Sequence, residues 1–295
     1  MSKDQLAQIL QVGAQFPPPE NGGLSEFRSW FEASNEPTPI PPGARIDRVE
    51  CGPVTGELIE FDGAAQDSLV IYFHGGGFFF GSSRTHRVVA ANLALRSGVR
   101  VLTPDYRLAP EHPAPTCHHD AYDVYLWALE QGYAPSKISV IGDSAGGNLA
   151  LATVVRARDE GRLLPAAVVL MSPALDLAGD GGSHRSETDA PLLTAELIAL
   201  MLQIYVGDGD RRSPELTPFD ADLSGLPPVL VHVGSWERLR DDAVTVTERI
   251  TATGGDATLK VFDGMCHSWQ MFAPMLDEGM ESIDEAATFM RALMA

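Results

Sequence analysis

The chain predicts an α/β protein built on a mostly parallel, eight-stranded sheet with helices on both faces. Six runs, LVIYF, VRVLT, KISVIG, AAVVLMS, PVLVHVG and ATLKVF, are apolar without regular alternation, the pattern of strands covered on both sides. Helical patterns fall between most of them: THRVVAANLALRSG, HDAYDVYLWALEQG, AGGNLALATVVRARDEG and RDDAVTVTERITATGG, each closing at a glycine. A glycine just past the last periodic residue is a helix stop. Strands alternating with helices in this way build an open sheet with crossover connections.

Taken in order, residues 1–43 stand apart from the rest. FPPPENGG and EPTPIPPG punctuate an amphipathic stretch, LSEFRSWFEAS, which predicts a helical appendage with Phe27, Trp30 and Phe31 on one face. A docked arm and a lid both fit it. ARIDRVE and GELIEF then alternate around a CGPVT turn and predict an antiparallel hairpin. The six apolar strands follow, with Met275 to Met294 as a final helix. One interval interrupts the alternation. Between AAVVLMSP and PPVLVHVG a long segment includes the helical TAELIALMLQIYV. A structureless loop of that size does not suit a folded domain, so a helical insertion over about 178–215 is expected.

The 295 residues are ample for a large core, and 44% hydrophobic with 21% charged residues is ordinary for a globular protein. A net charge of −19 argues against binding to the backbone of nucleic acids and to anionic membrane surfaces. Cys51, Cys117 and Cys266 are too few and too scattered for a disulfide framework or a zinc site. Their odd number fits a reducing compartment. MSKDQLAQILQVGAQF lacks the apolar core of a secretory signal, and no run approaches the roughly 18 apolar residues that span a bilayer. A cytoplasmic location is expected; association with further copies of the chain is left open.

Chemistry concentrates in four stretches. KISVIGDSAGGNLALATVV reads as strand, tight turn, helix, which makes its G-x-S-x-G a nucleophile elbow. Small residues (Gly142, Ala145, Gly146, Gly147) let strand and helix approach, and the helix start sets backbone N–H groups beside Ser144. A serine hydroxyl needs a base held by a third group, and in open sheets such groups collect beyond the carboxyl ends of strands. After PVLVHVG, SWERLRDDA offers Glu237, Asp241 and Asp242; after ATLKVFDG, MCHSWQMF offers His267. His112, His118 and His119 beside Asp120 lack the spacing of a metal site, and no metal is expected. Cys266, although next to His267, reads as a packed thiol. The fourth stretch, HGGGFFFGS, follows the third strand. Acyl transfer builds charge on a carbonyl oxygen, and glycines can bring N–H donors against it, completing an oxyanion hole with the amide of Ala145. One such donor is worth about 2.7–4 kcal/mol, more than the roughly 1 kcal/mol a glycine costs. His74 reads as a brace for this loop.

With HGGG at 74–77, GDSAG at 142–146 and the acid and histidine in chain order, the sequence resembles the hormone-sensitive-lipase-like carboxylesterases of the α/β-hydrolase fold. DYRLAPEHPAP at 105–115 and YVGDGDRRSPELTPFDADLSGLPPVLVHVG at 205–234 extend the likeness, which runs from about residue 45 to the end. The resemblance implies a catalytic domain over 44–295, with 1–43 contributing to the cap. It implies Ser144 as nucleophile, His267 as base and then acid, and Gly76, Gly77 and Ala145 as the oxyanion hole. The family often has Asp-Pro-Leu-Arg-Asp where this chain has Glu237-Arg238-Leu239-Arg240-Asp241, so the implied acid is Glu237, with Asp241 as the alternative. It also implies small esters with short to medium acyl chains and no cofactor. Phe78, Phe79 and Phe80 are candidates for an apolar pocket wall and equally for core. The chain has no extended interfacial helix, which disfavours emulsified lipid. The same machinery would suit amides or thioesters, and a non-catalytic receptor for small ligands can share such a fold.

Overall fold

The computed structural model describes residues 2–19, 23–36, 38–179, 181–185 and 189–295; the remaining positions of the expected cap, at 1, 20–22, 37, 180 and 186–188, lie outside them. The predicted sheet is present. Its strands are β1 (Arg45–Cys51), β2 (Val54–Glu60), β3 (Ala65–Phe73), β4 (Val99–Pro104), β5 (Ile138–Asp143), β6 (Ala167–Met171), β7 (Val229–Gly234) and β8 (Ala257–Phe262), in spatial order 1-2-4-3-5-6-7-8. The first two form the antiparallel hairpin and β2 runs antiparallel to β4; every other pair is parallel.

Helices α3 (Arg87–Ser97), α4 (Thr116–Glu130), α5 (Ala145–Asp159), α8 (Arg240–Ala252) and α9 (Asp277–Leu293) match the expected helices to within a few residues. Alternation along β3 splits the core between the two faces. Leu69, Ile71 and Phe73 share a cluster with residues of α4, α5 and α8, whereas Val70 and Tyr72 pack with α3 and α9.

Three features depart from expectation. The hairpin turn is tighter than CGPVT, because β2 already begins at Val54 and Gly52 takes the left-handed φ of +70° that reverses the chain. The last strand is not covered on both sides: β8 is the sheet edge, with Val261 44% exposed and Lys260 paired to Glu281 of α9. An edge strand has a neighbour on one side only, which a short apolar run does not reveal. Finally, Ser2–Gly13 forms an unexpected helix, α1. Its Leu6, Ile9 and Leu10 pack with Met265, Cys266 and Trp269 around the loop after β8.

The expected helices of the cap segments are α2 (Leu24–Asn35) and α7 (Ala195–Tyr205), the latter capped by Thr194, with the short α6 (Gly182–Arg185) preceding it. Phe27 and Phe31 of α2 face Phe79 and Phe80, with ring centroids 4.7–6.1 Å apart across the two segments. Trp30 instead donates its indole N–H to the Phe16 carbonyl at 3.0 Å. No helix among the described residues is long and apolar enough to cross a membrane.

Candidate active site

Register brings the chemistry together. Phe73 pairs with Gly142, Asp143 with Met171, Met171 with His232, and Gly234 with Phe262. The carboxyl ends of β3, β5, β6, β7 and β8 therefore form one rim, and the loops leaving it carry Gly75–Gly77, Ser144, Ser172, Glu237 and His267.

Ser144 occupies a turn with φ +53° and ψ −121°, a conformation that costs a non-glycine residue on the order of 1–3 kcal/mol. The crossing of β5 and α5 imposes it. A Cβ on Gly142 would overlap the Gly146 carbonyl, and one on Gly146 would overlap the carbonyl oxygen of Phe73. The small residues of the elbow are thus set by backbone contact, as the motif predicts.

His267 Nε2 lies 2.9 Å from Ser144 Oγ, and its Nδ1 lies 2.8 Å from Glu237 Oε2. A carboxylate only accepts, so Nδ1 carries the proton and Nε2 is free to accept from the serine. The other Glu237 oxygen, Oε1, accepts from the Gly234 amide at 2.6 Å and the Ser172 hydroxyl at 2.9 Å. All three side chains are buried, with residue exposures of 4% for Ser144, 4% for Glu237 and 9% for His267. Asp241 is engaged elsewhere, accepting from the Ser183 amide at 2.8 Å. Asp242 accepts from the amides of Leu175 and Asp176 and pairs with His184. Of the three acids after β7, the fold brings Glu237 to the imidazole.

The glycine loop packs against the elbow. The Gly75 amide donates to Asp143 Oδ1 at 2.8 Å, and the buried His74 ring donates from Nδ1 to the Gly75 carbonyl at 2.7 Å while stacking on Tyr106 at 4.2 Å. Burial pushes the His74 imidazole down to about 4, so it stays neutral, which fits a brace. The Gly76 carbonyl accepts from the amides of Phe79 and Phe80. In a trans peptide the following N–H points opposite the carbonyl. Pinning the carbonyls of Gly75 and Gly76 therefore aims the amides of Gly76 and Gly77. Among the described residues neither amide engages an intramolecular acceptor. Ala145 is the first residue of α5, where helix amides have no intrahelical partner.

The other sequence candidates sort clearly. Phe78 stacks on Tyr205 of α7 at 4.2 Å, and Phe79 and Phe80 pack beneath α2; all three rings are in the core, at no more than 9% exposure. His118 bonds Tyr205 and Asn148, His119 bonds Glu215, and Asp120 holds Arg107, so the three do not converge. Asp176, His184 and Asp242 do approach one another, and there the two carboxylates accept from the amides of Gly181 and Asp176 while His184 Nε2 bonds Asp242. Cys266 is buried with α1, and burial raises its thiol to about 12, which removes the thiolate a reactive cysteine needs.

Two residues escaped the sequence reading. Ser172 follows β6 with φ +44° and links Glu237 to the amide of Ser268; its place at a strand's carboxyl end was the available signal. Asp143 is the variable position of G-x-S-x-G, where no rule fixes the residue type.

Comparison with known proteins identifies the family. Residues 70–271 match the family model described as the alpha/beta hydrolase fold, which defines the chain as an α/β hydrolase. A crystal structure of an esterase from the bacterial hormone-sensitive lipase family superposes with a TM-score of 0.95 at 38% identity, covering 99% of both chains. The acetyl-hydrolase of Streptomyces hygroscopicus is 39% identical over 85% of this chain and 83% of its own. The esterase of Acinetobacter venetianus is 37% identical over 86% and 84%. The chain belongs to the hormone-sensitive-lipase-like carboxylesterases.

Proposed function

We propose that this ester hydrolase cleaves small esters of short- to medium-chain acids, with Ser144 as nucleophile, His267 as base and Glu237 as its acid. The observation that carries this reading is the unbroken line of hydrogen bonds from Ser144 Oγ through the imidazole to Glu237, at 2.9 and 2.8 Å. His267 Nε2 takes the hydroxyl proton as Oγ attacks the ester carbonyl. Glu237 holds the imidazole in register and offsets the charge it gains. The tetrahedral oxyanion lies against the amides of Gly76, Gly77 and Ala145, whose freedom from internal acceptors supports that role. The Gly75 amide, bonded to Asp143, is not one of them. His267 returns the proton to the leaving alcohol, and water repeats the sequence on the acyl-enzyme.

The preference for small esters rests on the enclosure of Ser144 and His267 and on the likeness to an acetyl-hydrolase. Helices α2 and α7, seated on the aromatic loop Phe78–Phe80, act as the cap that sets this enclosure. Hydrolysis of p-nitrophenyl acetate, butyrate, octanoate and palmitate by wild type and Ser144→Ala tests the reading. Turnover of the three shorter esters, with kcat lowered by about 10⁶-fold in the variant, is expected. Equal rates for the two proteins would remove the serine mechanism, and a preference for palmitate would remove the assignment to small esters.

A further inference from the structure

We infer that Asp143 is a positioning residue for the reaction, joining the amide-bearing glycine loop and the His267 loop to the nucleophile elbow; this rests on the reading above. The carboxylate is 3% exposed and engages four segments. Oδ1 accepts from the Tyr72 hydroxyl at the end of β3 and from the Gly75 amide, both at 2.8 Å. Oδ2 accepts from the Ser268 hydroxyl at 3.1 Å, one residue past His267. His86 Nε2 stands 3.7 Å from Oδ1. Glycine at 75 is part of the arrangement, because a Cβ there would overlap Asp143 Oδ2.

The consequence follows from peptide geometry. Gly75 is held at its amide by Asp143 and at its carbonyl by His74. With both ends held, the plane of the Gly75–Gly76 peptide cannot rotate, and the Gly76 N–H keeps one direction. An oxyanion donor is effective only when it is already aimed at the developing charge. A carboxylate suits the task because an anion accepts several short hydrogen bonds at once, and three donors together with His86 compensate its burial. Burial opposes the charge, but His86 and the Tyr72 hydroxyl, with His267, bring the Asp143 carboxyl down to about 2. The acceptor is therefore ionised at neutral pH.

Asp143→Ala and Asp143→Asn, checked for folding by circular dichroism, separate this role from plain stability. The readouts are kcat and KM on p-nitrophenyl butyrate and inhibition by an aliphatic trifluoromethyl ketone, whose serine adduct places an oxyanion in the hole. Asp143→Ala is expected to lower kcat by about 10²-fold, the loss typical of one oxyanion donor, with KM within about 3-fold of wild type. Inhibitor affinity should fall by the same factor as kcat/KM. Asp143→Asn keeps an Oδ1 acceptor for Gly75 and should recover all but about 10-fold. A folded Asp143→Ala with wild-type kcat, or with weaker inhibition not matching the loss in kcat/KM, overturns the inference. Should the alanine variant not fold, wild-type kcat in Asp143→Asn overturns it. Because wild type and Ser144→Ala are assayed alongside, a failure of the serine mechanism is seen separately as equal turnover by those two proteins.

Discussion

At the scale of single residues, the contest between Glu237 and Asp241 turns on what else each carboxylate touches. Glutamate is one methylene longer than the aspartate common in the family. The extra length is taken up by two donors, the Gly234 amide and Ser172, that hold Oε1 while Oε2 faces the imidazole. Asp241 instead joins the turn to the inserted segment through Ser183, whose hydroxyl in turn bonds the Arg238 carbonyl. Glu237→Ala is expected to lower kcat by about 10⁴-fold, in line with loss of a triad acid. Asp241→Ala should leave kcat within a few-fold and cost about 1.5–3 kcal/mol, the worth of a charge-assisted hydrogen bond. Steady-state kinetics with urea denaturation of both variants checks this, and the reverse pattern would exchange the roles. That Ser144, His267 and the glycine loop would lie at one rim was legible in the sequence because each sits at a strand end with a characteristic neighbour pattern. Asp143 and Ser172 were not, because their importance lies in partners as far as 125 and 96 residues along the chain.

At the scale of elements, α2 is more than an appendage. Its Arg28 donates to the carbonyls of Phe79 and Ala109 at 2.7 and 2.6 Å and forms a two-bond pair with Glu111. That pairing holds the Glu111 carboxyl down at about 2. One guanidinium thus fastens the helix to the loop that follows the Gly76 and Gly77 amides. Losing it leaves two carbonyls without a charged donor, at about 1.5–3 kcal/mol for such a bond. Arg28→Ala should therefore speed hydrogen exchange of the amides over 24–35 by at least about 10-fold, while the strand amides of β5 and β6 stay as protected as in wild type. Exchange unchanged over 24–35 would mean that the aromatic contacts alone hold α2. The amphipathic face was legible in the sequence. That Phe27 and Phe31 would meet Phe79 and Phe80 was not, because the facing aromatic patches lie about fifty residues apart in the chain, and the first strands of the sheet must bring them together.

At the scale of the whole molecule, buried histidines link stability to pH. Burial depresses His74 and His118 to about 4 and His232 to about 3, against about 6.5 in an unfolded chain. The unfolded state takes up their protons first as pH falls. Their contribution is complete above about pH 6.5 and declines toward pH 4, at about 1.4 kcal/mol per pH unit for each ring. His184 acts in the opposite sense. Burial works against its charge, but Asp242 and Asp176 raise its pKa, so its contribution is complete below about 6.5 and is lost as pH rises through its raised value. Three rings outweigh one, and the melting temperature in moderate salt, which screens the net charge of −19, should fall between pH 7 and pH 5. A flat profile there would contradict neutral burial of the three rings.

The order of strands and helices, the elbow and the glycine loop are local matters: short-range periodicity, steric demand at a turn, and the chemistry of residue types a few positions apart. These the amino-acid sequence determined by itself, together with the family. Tertiary structure brought Glu237, the acid the family resemblance implied, and not Asp241 to His267, and it alone decided which strand became the sheet edge and that the residue before Ser144 ties three loops together. Each of those depends on register between strands distant along the chain, and register is set by the packing of the whole core.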